Sequence, residues 1–98
     1  MKKKEYYLKL NYPIVIEVYT EYNGKKYFGA KIPLLLGCGA EGATIKEVLK
    51  RLEEAKEAWI EVSLERGLKI PEPKKYWQYY KKMLKWKKIK ANKWKFLL

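Results

Sequence analysis

The segment Thr44 to Gly67 carries the clearest hydrophobic pattern. Its apolar residues fall at Ile45, Val48, Leu49, Leu52, Ala55, Trp59 and Val62. That is helical spacing, with one stripe turned toward a core. Thr44 followed by Glu47 is a capping box. Gly67 stands where a left-handed residue closes a helix. Glu47 and Arg51 form a favourable i,i+4 charge pair. The plain reading of the stripe, Trp59 included, is core packing.

Upstream the period changes from helical to two. Ile14, Ile16 and Val18 alternate with Val15, Glu17 and Tyr19, as in a strand with one buried face. In the return strand, Lys25 to Ile32, residues Phe28, Ala30 and Ile32 are assigned to the core, and Tyr27 and Lys31 to the outside. Between the two lies Tyr22-Asn23-Gly24-Lys25, and Asn-Gly predicts a type I′ hairpin turn. Pro13 interrupts what precedes the first strand. Lys2 to Leu10 is short and amphipathic and fits either a helix or a lead-in strand. Pro33 ends the return strand. Leu34 to Gly42, LLLGCGAEG, is a glycine-driven connection with a brief third strand around Cys38 to Ala40. The prediction is an α+β fold over residues 1–73: a three-stranded antiparallel sheet covered by one long helix. Leu68 to Pro73 is an extended, proline-restricted linker. Residues 74–98 form a basic C-terminal extension, expected to be helical from Tyr76 to about Lys88.

Composition narrows the chemistry. The chain has 98 residues, a single-domain length, and 48% are hydrophobic. A core this small favours a partner or self-association. A single cysteine, Cys38, allows no internal disulfide and fits a reducing, cytoplasmic setting. The N-terminus lacks the apolar run of a signal peptide, and no stretch approaches the length of a membrane span. There is no histidine and no aspartate. The commonest general base and the usual zinc ligands are thereby removed. Any catalytic site would need Glu, Lys, Tyr and Cys38 alone, so no catalytic residue, metal site or cofactor is assigned. Gly37-Cys38-Gly39-Ala40-Glu41-Gly42 matches the letters of a dinucleotide fingerprint. A hairpin precedes it, however, instead of a parallel βαβ unit. Cys38 beside a helix start is read as a small buried residue rather than an activated thiol.

The net charge of +12 is unevenly distributed. Residues 74–98 hold ten lysines, seven aromatics and no acid, whereas residues 1–73 hold 13 basic and 11 acidic residues. Lysines among aromatics suit phosphates and unpaired bases, an anionic membrane surface, or docking on another subunit. The bland alternative is a solvated terminus. The candidate nucleic-acid or subunit-docking residues are Tyr76, Trp77, Tyr80, Lys81, Lys82, Trp86, Lys87, Lys88 and Trp94.

Several pieces in order resemble one family. They are Tyr12-Pro13-Ile14-Val15-Ile16-Glu17, Ile32-Pro33-x-Leu35-x-Gly37-Cys38, Glu41-Gly42-x-Thr44, Ala55-x-x-Ala58-Trp59-Ile60-Glu61, Glu65-Arg66-Gly67 and Ile70-Pro71-Glu72-Pro73. Over residues 6–73 the chain resembles the HicB antitoxins. The resemblance implies a partial RNase-H-like fold without nuclease activity, and oligomerisation. It also implies a HicA-like toxin partner, a small mRNA-cleaving protein that the antitoxin masks. The family often places an acidic residue and a second proline in its loop, where this chain has Leu34 and Leu36. Many members continue into a DNA-binding module, a pattern the extension here does not show. Candidate toxin contacts are Tyr19, Tyr27, Leu34, Leu35, Leu36 and Glu41. The alternative function is nucleic-acid binding through the basic extension.

Overall fold

The computed structural model describes residues 2–74, together with the backbone of two C-terminal strands, 87–90 and 93–97. A short helix α1 (Lys4–Leu8) leads into strand β1 (Val15–Thr20) and strand β2 (Lys26–Lys31). Strand β3 (Gly39–Gly42) precedes the long helix α2 (Ile45–Glu65). The expected three-stranded antiparallel sheet with one long helix is present. The amphipathic start is the helix of the two alternatives.

The sheet extends beyond those three strands. β4 (Lys87–Lys90) and β5 (Lys93–Leu97) join it, and the order is β3-β2-β1-β5-β4. β1 is therefore central, antiparallel to β2 on one side and to β5 on the other. Lys87 and Lys88, assigned above to the end of a helix, lie in β4. An extended backbone there lets β4 pair with β5 and β5 satisfy the edge of β1. The rest of that expected helix, 76–86, lies outside the described residues.

The β1–β2 hairpin differs from the type I′ expectation. Glu21 and Lys25 close it, with the Glu21 N–H donating to the Lys25 carbonyl at 2.8 Å. The Gly24 N–H donates to the Glu21 carbonyl at 2.9 Å, and Gly24 alone is left-handed, with φ of 86°. This is a three-residue loop, a type I turn followed by a glycine bulge. The reason is parity. Facing residues of an antiparallel pair share a face, and here Ile16 faces Ala30 and Val18 faces Phe28. A two-residue turn would set each inward residue opposite an outward one. The apolar faces therefore decide the loop length over the local Asn-Gly preference.

The core lies between the sheet and α2. Ile16, Ala30 and Ile32 pack with Val48, Leu52 and Ile60, closed by Tyr12, Leu35, Cys38 and Ile70. The ends of α2 follow the sequence. The Glu47 N–H donates to the Thr44 hydroxyl at 3.1 Å. At the other end Gly67 is left-handed, the Leu68 N–H reaches the Ser63 carbonyl, and the Gly67 N–H reaches that of Leu64. That pair of bonds is a complete Schellman closure.

The segment after α2 is tied back to the N-terminus. The Tyr12 hydroxyl donates to the Pro71 carbonyl at 2.6 Å, Lys2 pairs with Glu72 at 2.9 Å, and the Tyr6 hydroxyl donates to the same carboxylate. Lys56, almost wholly buried, donates to the Leu8 carbonyl at 3.3 Å, so a charge is spent on fixing the end of α1.

Two predictions follow from these contacts. Burial pushes the Tyr12 phenol up to about 12 from its ordinary 10.0. The folded chain therefore keeps a proton that the unfolded chain loses above pH 10.0, and stability falls as pH rises toward that folded value. Tyr12→Phe is expected to cost about 1 kcal/mol at neutral pH, through loss of the Pro71 bond. It is also expected to flatten the alkaline part of a urea-denaturation series. The second concerns β1. A chain cut after Pro73 bares its second edge, and such edges recruit other chains. Light scattering should show the cut chain self-associating and melting lower than the full chain.

Candidate functional site

Strand alternation gives the sheet a second face, away from α2. The register builds it in rows. Glu41, Gly29 and Glu17 form one row, Gly39, Lys31 and Val15 another, and Tyr27 and Tyr19 a third. Gly29 leaves the middle of the first row without a side chain. A Cβ at Gly29 would sit 3.4 Å from the Tyr19 ring. The result is an open groove of about 350 Å³ lined by Glu17, Tyr19, Gly29, Lys31, Gly39 and Glu41.

Tyr19 and Tyr27 stack over this face, with centroids 4.7 Å apart and planes 10° from parallel. The Tyr19 hydroxyl donates to Glu17 Oε2 at 3.0 Å, and Lys31 Nζ lies 3.3 Å from Glu17 Oε1. Glu17 is only 7% exposed. Its burial is tolerable because a cation and a hydroxyl both meet it. Glu41 is exposed at the rim. Its backbone carbonyl is held by Arg51 of α2 at 2.8 Å, so the edge strand is pinned while its side chain stays available.

Beside the groove is the Leu34–Leu36 loop. The Leu35 N–H donates to the Ile32 carbonyl at 3.0 Å, the Cys38 N–H to the Leu35 carbonyl at 2.9 Å, and Gly37 is left-handed at φ 85°. This tight turn sends consecutive leucines in opposite directions. Leu35 is fully buried in the core, and Leu36 is 87% exposed. Leu35 therefore supports the loop from beneath and offers no surface to a partner. Leu34 is partly buried against the core. The Trp59 indole N–H donates to the Leu36 carbonyl at 2.9 Å, so Trp59 fixes the loop as well as packing. Pro33, Leu36 and Cys38 border an apolar depression of about 450 Å³.

Of the candidate contacts, Tyr19, Tyr27 and Glu41 share the outer face, and Leu36 stands at its rim. Glu17, Lys31 and Gly29 complete that face and were not singled out as site residues. Alternation shows that Glu17 and Lys31 point outward, but only the register brings them together. In the extension, Lys87 and Lys88 lie in β4, and Trp94 of β5 is opposite Val18. Tyr76, Trp77, Tyr80, Lys81, Lys82 and Trp86 fall outside the described residues.

The glycine-rich segment is not a phosphate cradle, because Gly39–Gly42 is an antiparallel strand against β2. Burial pushes the Cys38 thiol up, with Lys56 opposing in part. That is the opposite of an activated nucleophile. Among the described residues, no three acidic or cysteine side chains gather as a metal site, and no helix is long and apolar enough to cross a membrane.

The sheet thus carries α2 on one face and a polar, aromatic-bearing groove on the other. A family profile for the HicB_like antitoxin of bacterial toxin-antitoxin system matches residues 12–91. The chain belongs to that antitoxin family. UPF0150 protein ssl0259 of Synechocystis sp. is similar at 40% identity over 62 residues, covering 63% of this chain and 80% of that protein. No solved structure matches the chain significantly. Membership of an antitoxin family points to a regulatory role rather than a catalytic one.

The raised, buried thiol makes a direct prediction. Iodoacetamide at pH 8 is expected to leave Cys38 unmodified in the native chain and to label it fully in denaturant. Rapid labelling of the native chain would mean that the 32–38 turn opens readily.

Proposed function

We propose that this chain is an antitoxin whose target is a small, mRNA-cleaving, HicA-like toxin. It binds the toxin and covers its RNA-cleaving face. The carrying observation is the half-buried tyrosine stack of Tyr19 and Tyr27 flanked by the exposed Glu41 and Leu36, inside the region that the antitoxin profile spans. Tyrosines are frequent anchors in interfaces because they bring large area at low entropic cost. A toxin that handles RNA needs a basic surface, and Glu41 offers it a carboxylate. Leu36 is an apolar knob whose backbone is already fixed by Trp59, so little further order is needed on binding. The antitoxin acts in the cytoplasm, and its small core favours a homo-oligomer.

The test is co-purification and growth rescue with the product of the neighbouring toxin-like gene. Wild type is expected to bind and to rescue growth. Leu36→Asp, Tyr27→Ala and Glu41→Lys should each weaken binding at least about tenfold, the size expected of anchor residues. Lys50→Glu, on the far side of α2, should leave binding unchanged. The proposal fails if wild type neither binds nor rescues, or if all three face variants bind like wild type.

A further inference from the structure

Helix α2 carries a second stripe beside the one that enters the core. The buried stripe is Val48, Leu52, Lys56, Ile60 and Ser63. Arg51, Ala55, Ala58, Val62 and Glu65 recur at alternating steps of four and three, so they share a different flank. That flank is open: Arg51, Ala58 and Glu65 are exposed, and Val62 is 45% exposed. It lies on the side of β3, because Arg51 reaches the Glu41 carbonyl of that edge strand. α1 occupies the other flank, where Lys4 pairs with Glu57 and Glu61 and Lys56 meets the Leu8 carbonyl. The open flank is also self-complementary in charge. Arg51 and Glu65 stand seven residues on either side of Ala58, about two helical turns each way.

We propose that a second copy of this chain docks on this flank, α2 antiparallel to α2, with Ala58 at the two-fold axis. The symmetry then sets Arg51 of each copy against Glu65 of the other, and the contact closes at two copies. A parallel arrangement would set Arg51 against Arg51 and Glu65 against Glu65. A uniformly basic partner would match Glu65 but be repelled at Arg51. Ala58 is small enough to let the two helices approach closely, and Val62 supplies the apolar contact on either side of it. Exposed ion pairs contribute little to affinity, so here they select the direction of packing. Arg51 is already held by the Glu41 carbonyl and by Glu47, with N–H donors to spare, so it loses little freedom on docking. The chain is +12 overall, whereas α2 holds six glutamates against four basic residues, so copies approach here against the least repulsion. This interface goes beyond the toxin-masking reading and needs no toxin to form.

The test is sedimentation equilibrium on the full chain, which should show a reversible monomer–dimer equilibrium. Val62→Glu is expected to raise the dimer dissociation constant at least about tenfold, as for an anchor at the centre of a contact. Glu65→Lys should raise it by about tenfold as well, because the symmetric pair meets each lost ion pair twice. Lys50→Glu, on the far side of α2, should leave the dimer unchanged. So should Tyr27→Ala, on the opposite face of the sheet, which is expected to weaken toxin binding, so the two proposals fail separately. Circular dichroism melts identify any variant whose loss is one of folding. Cross-linking then decides without disturbing the packing. Helix axes about 8 to 10 Å apart leave the two Ala58 Cα atoms roughly 4 to 5 Å apart, inside the disulfide range. Mild oxidation should therefore join Ala58→Cys chains into covalent dimers and leave Lys50→Cys chains single, while Cys38 stays buried and unreactive. The proposal is overturned if the full chain is monomeric throughout, if Val62→Glu dimerises like wild type, or if Lys50→Cys cross-links as readily as Ala58→Cys.

Discussion

The β1–β2 register is the constraint on which the rest depends. Ile16 opposite Ala30 and Val18 opposite Phe28 give the sheet one continuous apolar face. That face is what α2 covers, through Val48, Leu52 and Ile60. The same parity puts Glu17 opposite Gly29 and Tyr19 opposite Tyr27 on the other side. Core and outer face are therefore two readings of one alignment. A slip of a single residue would bury Tyr19 and Glu17 and expose Ile16 and Val18. The burial of Ile16 and Ala30 guards the groove as much as it guards the core.

The helix then acts on the outer face from behind the sheet. Trp59 and Arg51 lie two helical turns apart and hold two successive parts of the same connection, the Leu36 carbonyl and the Glu41 carbonyl. Both bonds use backbone acceptors, so both fix position without consuming the side chains that a partner would meet. Leu35 works from the same side, filling the core beneath the turn that raises Leu36. A glycine-rich connection of this kind would otherwise sample many conformations. Its rigidity comes from three anchors, each contributed by the hydrophobic unit and not by the loop's own sequence.

Much of this was legible in the residues alone. Helical spacing with Thr44 and Gly67 at its ends gave α2 almost to the residue, because capping and periodicity are local properties. The inward and outward residues of β1 and β2 were legible for the same reason. The turn between them was not. Asn-Gly is a strong local signal, but the loop length is set by a pairing distant in sequence. The opposite fates of Leu34, Leu35 and Leu36 were also hidden, since three identical side chains carry no sign of which one a turn will bury. The C-terminal strands were missed for a related reason. Lys93-Trp94-Lys95-Phe96 does alternate, yet the run is short and is a strand only because the edge of β1 is there to receive it.

That dependence has a structural logic. Before β5 is added, β1 is an edge strand with Val15 and Ile16 near its start, the kind of edge that pairs with other chains. β5 closes it, and β4, KKIK, becomes the new boundary. Lysines on an outer strand discourage further pairing by charge, so the addition moves the edge from an apolar strand to a cationic one. The opposite boundary is β3, which is four residues long, half glycine, and pinned by Arg51. Both edges are thus blunted, by charge on one side and by brevity on the other. Between them lies the face on which Tyr19 and Tyr27 stack. With both edges blunted, strand addition is disfavoured, and the β1–β2 register decides which side chains stand together on the face between them.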